Sequence, residues 1–241
     1  MKTDYESIFR HRGESYNLAM KRYPSIRRRE FENLFLTNPL EGDEKIVDCP
    51  SLGGYLQENV SNAHDVTSLD FCFSSDRVTA TPSNNWGLLN YADRVVCLAA
   101  SHHINDIDEL FNSAYSCLRM GGIMHLSDVD MRNPLRYFLD DFVGRWSSTG
   151  HNGIWRDFLD LAPYVESKFN LKATTVSDLE CPWVFPSLTE VTDFCRLLFG
   201  LDLNPSNKQI VSALEEYAGL ENYRGFVKVN WRLSYIDFLK Y

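Results

Sequence analysis

The chain has 241 residues and a formal net charge of -9, with 44% hydrophobic and 24% charged residues. That length suffices for one large domain with a sizeable core, and the acidic balance speaks against a general nucleic-acid binder, whose footprint is a basic patch. No apolar run reaches the roughly 20 residues of a membrane span, and Met1-Lys2-Thr3-Asp4-Tyr5-Glu6 lacks the apolar core of a signal peptide. The expectation is a cytoplasmic protein without membrane or nucleic-acid partners. Cysteines 49, 72, 97, 117, 181 and 195 never form a C-x-x-C pair. They read as buried free thiols, and no metal site is expected.

In chain order, residues 4–36 carry helical periodicity, with Gly13 and Pro24 expected to divide the stretch, and residues 1–40 form an N-terminal helical segment. Lys45-Ile46-Val47-Asp48 is a first strand. It runs into the small-residue turn Cys49-Pro50-Ser51-Leu52-Gly53-Gly54 and then a stretch suited to a helix, to about Ser61. Strand, turn, helix opens a doubly wound α/β sheet, which binds ligands at the carboxyl ends of its strands. Asp65 to Asp70 is a second strand, and Asp70 lies 22 residues beyond Asp48. An acid at that distance is placed to hold the hydroxyls of a ribose. Arg77 to Ala80 reads as a third strand and Pro82 to Gly87 as a loop. Asp93 to Ala100 is a clear buried fourth strand that ends at Ser101-His102-His103. A helix over 107–119 closes on Gly121-Gly122 as C-cap glycines, and Ile123 to Val129 is the fifth strand. The repeated alternation points to parallel pairing with crossovers.

Four stretches together carry a family resemblance: Asp48-Cys49-Pro50-Ser51-Leu52-Gly53-Gly54-Tyr55-Leu56, the acid Asp70, Leu98-Ala99-Ala100-Ser101-His102-His103 with Asp106, and Leu118-Arg119-Met120-Gly121-Gly122. Their order resembles the class I S-adenosylmethionine-dependent methyltransferases. The resemblance implies a Rossmann-like, seven-stranded, mostly parallel sheet with one antiparallel strand, forming a single domain over 1–241. It implies S-adenosylmethionine as cofactor, with Asp48, Pro50, Ser51, Gly53 and Gly54 around the amino-acid part and Asp70 at the ribose. Asn85 and Trp86 then neighbour the adenine, and Ala99, Ala100 and Ser101 floor the sulfonium. The pattern departs at Leu52, where most members carry a glycine and a side chain at positive φ would be strained.

Residues 130–165 then form a helical cap insertion, where this class encloses its acceptor. Pro134 to Val143 reads as a helix, and Ser147 to Gly153 as a loop bearing His151. His102, His103 and His151 are the candidate proton acceptors, since a neutral imidazole at the ligand edge can take a proton from an oxygen or nitrogen. Arg136, Tyr137 and Trp146 are candidates for holding the substrate. A strand is expected at 172–176, a loop at 183–187, helices at 188–199 and 206–218, and a last strand at 226–235. The function implied is methylation of a small molecule, aromatic or from natural-product biosynthesis, free or carrier-bound. A homodimer is compatible with the helical N-terminus. Two alternatives stay open because of Leu52: a non-catalytic binding or scaffold protein with a degenerate cofactor site, and the same site running a different reaction.

Overall fold

The computed structural model describes residues 5–61 and 63–241. Helices α1 (Tyr5–Arg22) and α2 (Arg28–Leu34) lead into β1 (Lys45–Asp48), β2 (Asp65–Asp70), β3 (Val78–Ala80) and β4 (Ala92–Leu98). Then come α3 (Ile107–Cys117) and β5 (Leu118–Asp128). Next, α4 (Leu135–Tyr137), a π-helical turn (Phe138–Val143) and α5 (Gly144–Trp146) run on without a break and are followed by α6 (Phe158–Lys168). The chain continues through β6 (Leu171–Glu180), β7 (Trp183–Phe185), α7 (Leu188–Phe199) and α8 (Asn207–Tyr217). It finishes with β8 (Leu220–Tyr223), β9 (Phe226–Val229) and β10 (Arg232–Lys240).

Seven strands make one sheet in the order β3-β2-β1-β4-β5-β10-β6. All pairings are parallel except those of β10, which runs antiparallel between β5 and β6. This is the fold class expected from the sequence. The central strand β4 is buried over almost its whole length, and Val95 to Leu98 reads as a continuous apolar run rather than an alternating one. Edge strand β6 alternates between covered and open positions. Connections from β1 lead toward β2 and β3, whereas β4 leads toward β5, so the order reverses between β1 and β4. A crevice opens at such a reversal, beyond the carboxyl ends of the strands.

Several local expectations are corrected. The stretch after β1 forms only a 3-10 turn, Tyr55–Glu58. Asp65 pairs with Lys45, and the crossover between the two strands is made by the turn after Asp48 and this single 3-10 turn. Gly13 does not divide α1; it is buried inside the helix, and the break falls at Pro24. Gly121 and Gly122 do not cap α3, which ends at Cys117 and passes straight into the extended chain of β5. Gly121 has φ +79, and the β4–β5 register shifts there, so the glycines accommodate an irregularity in the strand. Residues 183–185 are a strand rather than a loop, and 226–235 breaks between β9 and β10 at Asn230 and Trp231. Strands β7, β9 and β8 make a second antiparallel sheet. It packs its Trp183 on Trp231 with ring centroids 4.0 Å apart. All six cysteines are free thiols. No described helix is long and apolar enough to cross a membrane.

Candidate active site

Helix α1 lies over the crevice and presents one face to it. Tyr5, Phe9, Arg12 and Tyr16 are spaced four, three and four residues apart, which sets them along one side of a helix. Beneath the helix are two small cavities that share Phe9, Tyr16, Arg27 and Ala99 in their walls.

The first lobe sits on the turn after β1 and has a volume of about 50 Å³. The turn is tied to β2: the Ser51 amide donates to the Leu69 carbonyl (2.9 Å) and the Leu52 amide to Asp70 Oδ2 (2.9 Å). Asp70 is wholly buried. Its Oδ2 also accepts from the Tyr5 hydroxyl at 2.6 Å, and its Oδ1 accepts from the amides of Cys72 (3.0 Å) and Phe73 (2.9 Å). Two carboxylate oxygens offer about four lone-pair sites, and all are taken within the chain. Leu52 stands at φ +54 and, like Tyr5, walls the lobe. Asp48 lies on its floor and makes no hydrogen bond or ion pair with a described residue. Burial, and then the Asp70 charge, push the Asp48 carboxyl up to about 8, against a partial opposing pull from Arg27. Ser51 Oγ on the same wall is buried without a partner.

The second lobe, about 80 Å³, is bounded by His102, His103, His151 and Asp128, with Leu139, Phe199 and Trp231 opposite. The 3-10 turn Ser101–His103 carries the first two rings. Arg156 pins that turn by donating to the carbonyls of Ser101 (2.7 Å) and Ile104 (2.9 Å). Asp128 ends β5 beside it and accepts from Ser101 Oγ (2.6 Å), from the His102 amide (2.9 Å) and from His102 Nδ1 (2.7 Å). Burial alone would raise the Asp128 carboxyl; the His102 ring and these donors outweigh it and hold it below the usual range. His151 comes from the loop after α5 and is held the same way. Its Nδ1 donates to Asp140 Oδ1 at 2.9 Å, and Asp140 also accepts from the Gly153 amide (2.9 Å) and Trp155 Nε1 (2.6 Å). Asp140 rides on the π-helical turn, a distortion that often re-aims side chains at functional sites. Burial, together with the neighbouring His102 and Arg12 charges, lowers His151 to about 4 against the opposing pull of Asp140. Burial and the same neighbourhood take His103 well below its ordinary value. Both rings are therefore neutral imidazoles at pH 7.

Helix α1 reaches both lobes. Phe9 meets the His103 ring edge-on at 5.4 Å, and Arg12 Nε donates to Thr149 Oγ1 at 2.8 Å, fastening the loop that bears His151.

No protein-family model matches this sequence, and it matches no curated protein. Its structure does match solved ones. An S-adenosylmethionine-dependent methyltransferase from Thermotoga maritima is similar at a TM-score of 0.59 with 12% identity, over 98% of this chain and 99% of that one. The 1,6-didemethyltoxoflavin N1-methyltransferase of Burkholderia thailandensis, solved with S-adenosylhomocysteine, scores 0.55 with 9% identity, over 94% and 84%. A geranyl diphosphate methyltransferase solved with geranyl diphosphate and sinefungin scores 0.54 with 13% identity, over 88% and 78%. The chain has the class I methyltransferase fold.

Within that methyltransferase fold the expected site residues separate into groups. Asp48, Pro50 and Ser51 line the first lobe, and Ala99 and Ala100 join it from the end of β4. Ser101 faces Asp128 instead. Gly53 and Gly54 do not border that lobe. A side chain on Gly53 would run into the Tyr55 ring and Asn17, and Gly54 takes φ +71 against Ser68 and Val78, so packing explains both glycines. Asp70 is saturated as described. Asn85 turns its side chain onto the Gly87 amide, and Trp86 is packed in the core; neither borders a cavity described above. Arg136 lies over the half-exposed Tyr137 ring at 4.0 Å, and Trp146 packs against the core, all away from both lobes. The three histidines, by contrast, are brought together. Asp128, Asp140 and the inner face of α1 were missed. The 5-9-12-16 spacing was the available signal for the helix face, but the two aspartates carry no local pattern.

Proposed function

We propose that the chain is an S-adenosylmethionine-dependent methyltransferase acting on a small, largely apolar molecule that carries one ionisable oxygen or nitrogen. The observation that carries this reading is the pair of buried polar groups in the first lobe. Asp48 holds a carboxyl that makes no ion pair, and the Ser51 hydroxyl has no hydrogen-bond partner, among the described residues. The head group of an amino acid supplies both, an ammonium for Asp48 and a carboxylate for Ser51. The cofactor contributes an electrophilic methyl sulfonium.

Everything else falls to the residues of the chain. Ala99, at φ +51, lies in the wall common to both lobes, where its small side chain takes little room. Phe9, Leu139 and Phe199 exclude water from the acceptor. An unprotonated ring nitrogen of the histidine cluster accepts a hydrogen bond from the acceptor's heteroatom and orients it toward the methyl group. Alignment of the two reactants is the main catalytic resource in such a displacement, worth roughly 7–11 kcal/mol in favourable cases. Ribose binding requires Tyr5 to leave Asp70, so the cofactor enters as the first turn of α1 lifts.

A second reading is favoured by the filled acceptor sites of Asp70 and by Leu52 and Tyr5 inside the lobe. In it the groove belongs permanently to α1, and the fold binds another ligand or runs a different reaction. Calorimetric titration with S-adenosylmethionine and S-adenosylhomocysteine separates the two. Micromolar binding that is lost in Asp48→Asn supports the methyltransferase. Absence of binding in the folded wild type and in Tyr5→Phe sinks it.

A further inference from the structure

The imidazoles of the second lobe have an arrangement that acid–base work alone does not need. One ring nitrogen from each of His102, His103 and His151 lies within 4.8 Å of the others. Ring centroids are 4.0 Å apart for His102 and His103, 4.9 Å for His103 and His151, and 5.3 Å for His102 and His151. Two of the rings spend Nδ1 on a buried or half-buried carboxylate, His102 on Asp128 and His151 on Asp140. That bond sets the tautomer, with the proton on Nδ1 and the lone pair on Nε2. Neither Nε2 is hydrogen-bonded to a described residue. His103 leaves its Nδ1 buried with no hydrogen-bond partner among the described residues. His103 Nδ1 is thus a buried polar atom left unpaired, and the Nε2 atoms of His102 and His151 are left for a group from outside the chain.

We propose that His102, His103 and His151 bind one divalent transition-metal ion, with Asp128 and Asp140 as the outer carboxylates that orient the ligands. An all-imidazole set suits zinc, iron, nickel or copper rather than magnesium or calcium. Carboxylate–histidine–metal relays are the usual support for such ligands. Zinc–nitrogen bonds of about 2.0–2.1 Å in a tetrahedron set ligand atoms roughly 3.3 Å apart, so the rings close by at most about 1.5 Å on loading. Trp155 stacks on His102 with centroids 4.8 Å apart and donates to Asp140, so it braces ring and outer carboxylate together. Three protein ligands leave a coordination position open. It faces the cavity that Phe9, Leu139 and Phe199 enclose. The two outer carboxylates offset the ion's charge, and Arg12 on the same wall adds a positive one. A small anionic oxygen ligand, such as hydroxide, a phenolate or a carboxylate, therefore suits the open position. The site stands independently of the sulfonium reading, since none of its ligands belongs to the first lobe.

The test uses the untagged full chain. Metal content is measured by mass spectrometry on protein purified without chelator, and the metal-free protein is titrated with Co²⁺ alone and followed by visible absorption. The expected result is one equivalent bound, with the intense d–d bands of four- or five-coordinate cobalt. His103→Gln and His151→Gln should each abolish those bands, with near-UV circular dichroism confirming the fold. Asp140→Asn should keep the bands and weaken affinity by about 10–100-fold. If His151→Gln does not fold, His103→Gln alone decides, because its Nδ1 has no partner to lose. A folded wild type that neither retains a metal nor gives cobalt bands overturns the proposal, as do bands that persist in His103→Gln. S-adenosylmethionine is titrated into the same protein separately. Cobalt binding without cofactor binding upholds the metal site against the methyltransferase reading, and the converse result does the reverse.

Discussion

The two lobes beneath α1 use the same device, a buried strand-end aspartate, to opposite ends. Asp70 at the end of β2 spends its acceptor sites on closing its lobe: the Tyr5 hydroxyl and three loop amides converge on it. Asp128 at the end of β5 spends its own on holding a ring ready, accepting from Ser101, from the His102 amide and from His102 Nδ1. Asp70 is satisfied and closed within the chain, although Asp48 and Ser51 of the same lobe keep unused capacity. Asp128 instead braces a ring from behind and leaves its far nitrogen toward the cavity. A strand-end acid therefore does not by itself mark a ligand site. What matters is whether the groups around it are left with capacity for something from outside the chain.

The largest expected effect comes from removing either aspartate. Asp128→Ala strands several buried donors and should lower stability by about 3–5 kcal/mol, read from urea midpoints. Asp70→Ala should lose a similar amount even with no cofactor present. Loss of cofactor binding in that variant would thus report unfolding as readily as a ribose contact. If Asp70→Ala proves neutral in stability, the closed description of the first lobe is wrong.

Asp48 gives the next effect. Its carboxyl is raised in the fold to about 8 from an ordinary 3.8, so the folded state holds a proton that the unfolded chain releases. Its stabilising contribution is complete below about pH 4 and is lost as pH rises through about 8. The slope is up to about 1.4 kcal/mol per pH unit in that window. Asp48→Asn should flatten the profile between pH 5 and about 8. By the same linkage, an ammonium ligand that needs the ionised carboxylate should bind the wild type more tightly as pH climbs toward 8. Parallel profiles for Asp48→Asn and wild type would remove Asp48 from the account.

Tyr5→Phe tests the latch with less force. A hydrogen bond to a charged group is worth roughly 1.5–3 kcal/mol, and its loss frees one acceptor site on Asp70. Thermal stability should fall while affinity for S-adenosylmethionine rises. Amide exchange should quicken over the first turns of α1 and not over the Ser101–His103 turn. Faster exchange at both places would show that the two lobes open as one unit.

Much of this contrast was legible in the sequence, and the illegible part has a physical cause. Strand positions followed from turn residues and buried runs such as Val95 to Leu98, because a covered parallel strand must be apolar on both faces, while the layout of the sheet followed from the resemblance. His102, His103 and His151 stood out as imidazoles at strand ends and in a glycine-flanked loop, and they do meet. Their braces did not stand out. Asp128 matters through its place at the end of β5 beside the Ser101–His103 turn, and Asp140 through a π-helical turn that a 3.6-residue reading does not anticipate. The motif around Gly53 and Gly54 looked like a cofactor cradle because glycines serve both close approach and tight packing, and here packing uses them. The saturation of Asp70 depends on a tyrosine 65 residues away in sequence, a distance at which no spacing rule operates.

Leu52→Gly gives the smallest change in stability and bears most directly on the comparison. In its left-handed conformation at φ +54 the leucine costs about 1–2 kcal/mol. Its side chain, only 6% exposed, returns about 1.5–3 kcal/mol through burial. Glycine relieves the first and forfeits the second, and its extra backbone freedom in the unfolded chain subtracts about 0.5–1 kcal/mol more. The variant should therefore be destabilised by only about 1.5 kcal/mol while the first lobe enlarges beside Asp48 and Ser51. If the groove is a cofactor site narrowed by this one side chain, affinity for S-adenosylmethionine should improve by about tenfold, the equivalent of roughly 1.4 kcal/mol. Binding at the histidine lobe should be unaffected. If affinity does not change although the variant folds, the lobe is closed by α1 as a whole and not by Leu52. The contrast between the two lobes would then be a property of the fold rather than of one substitution in its first turn.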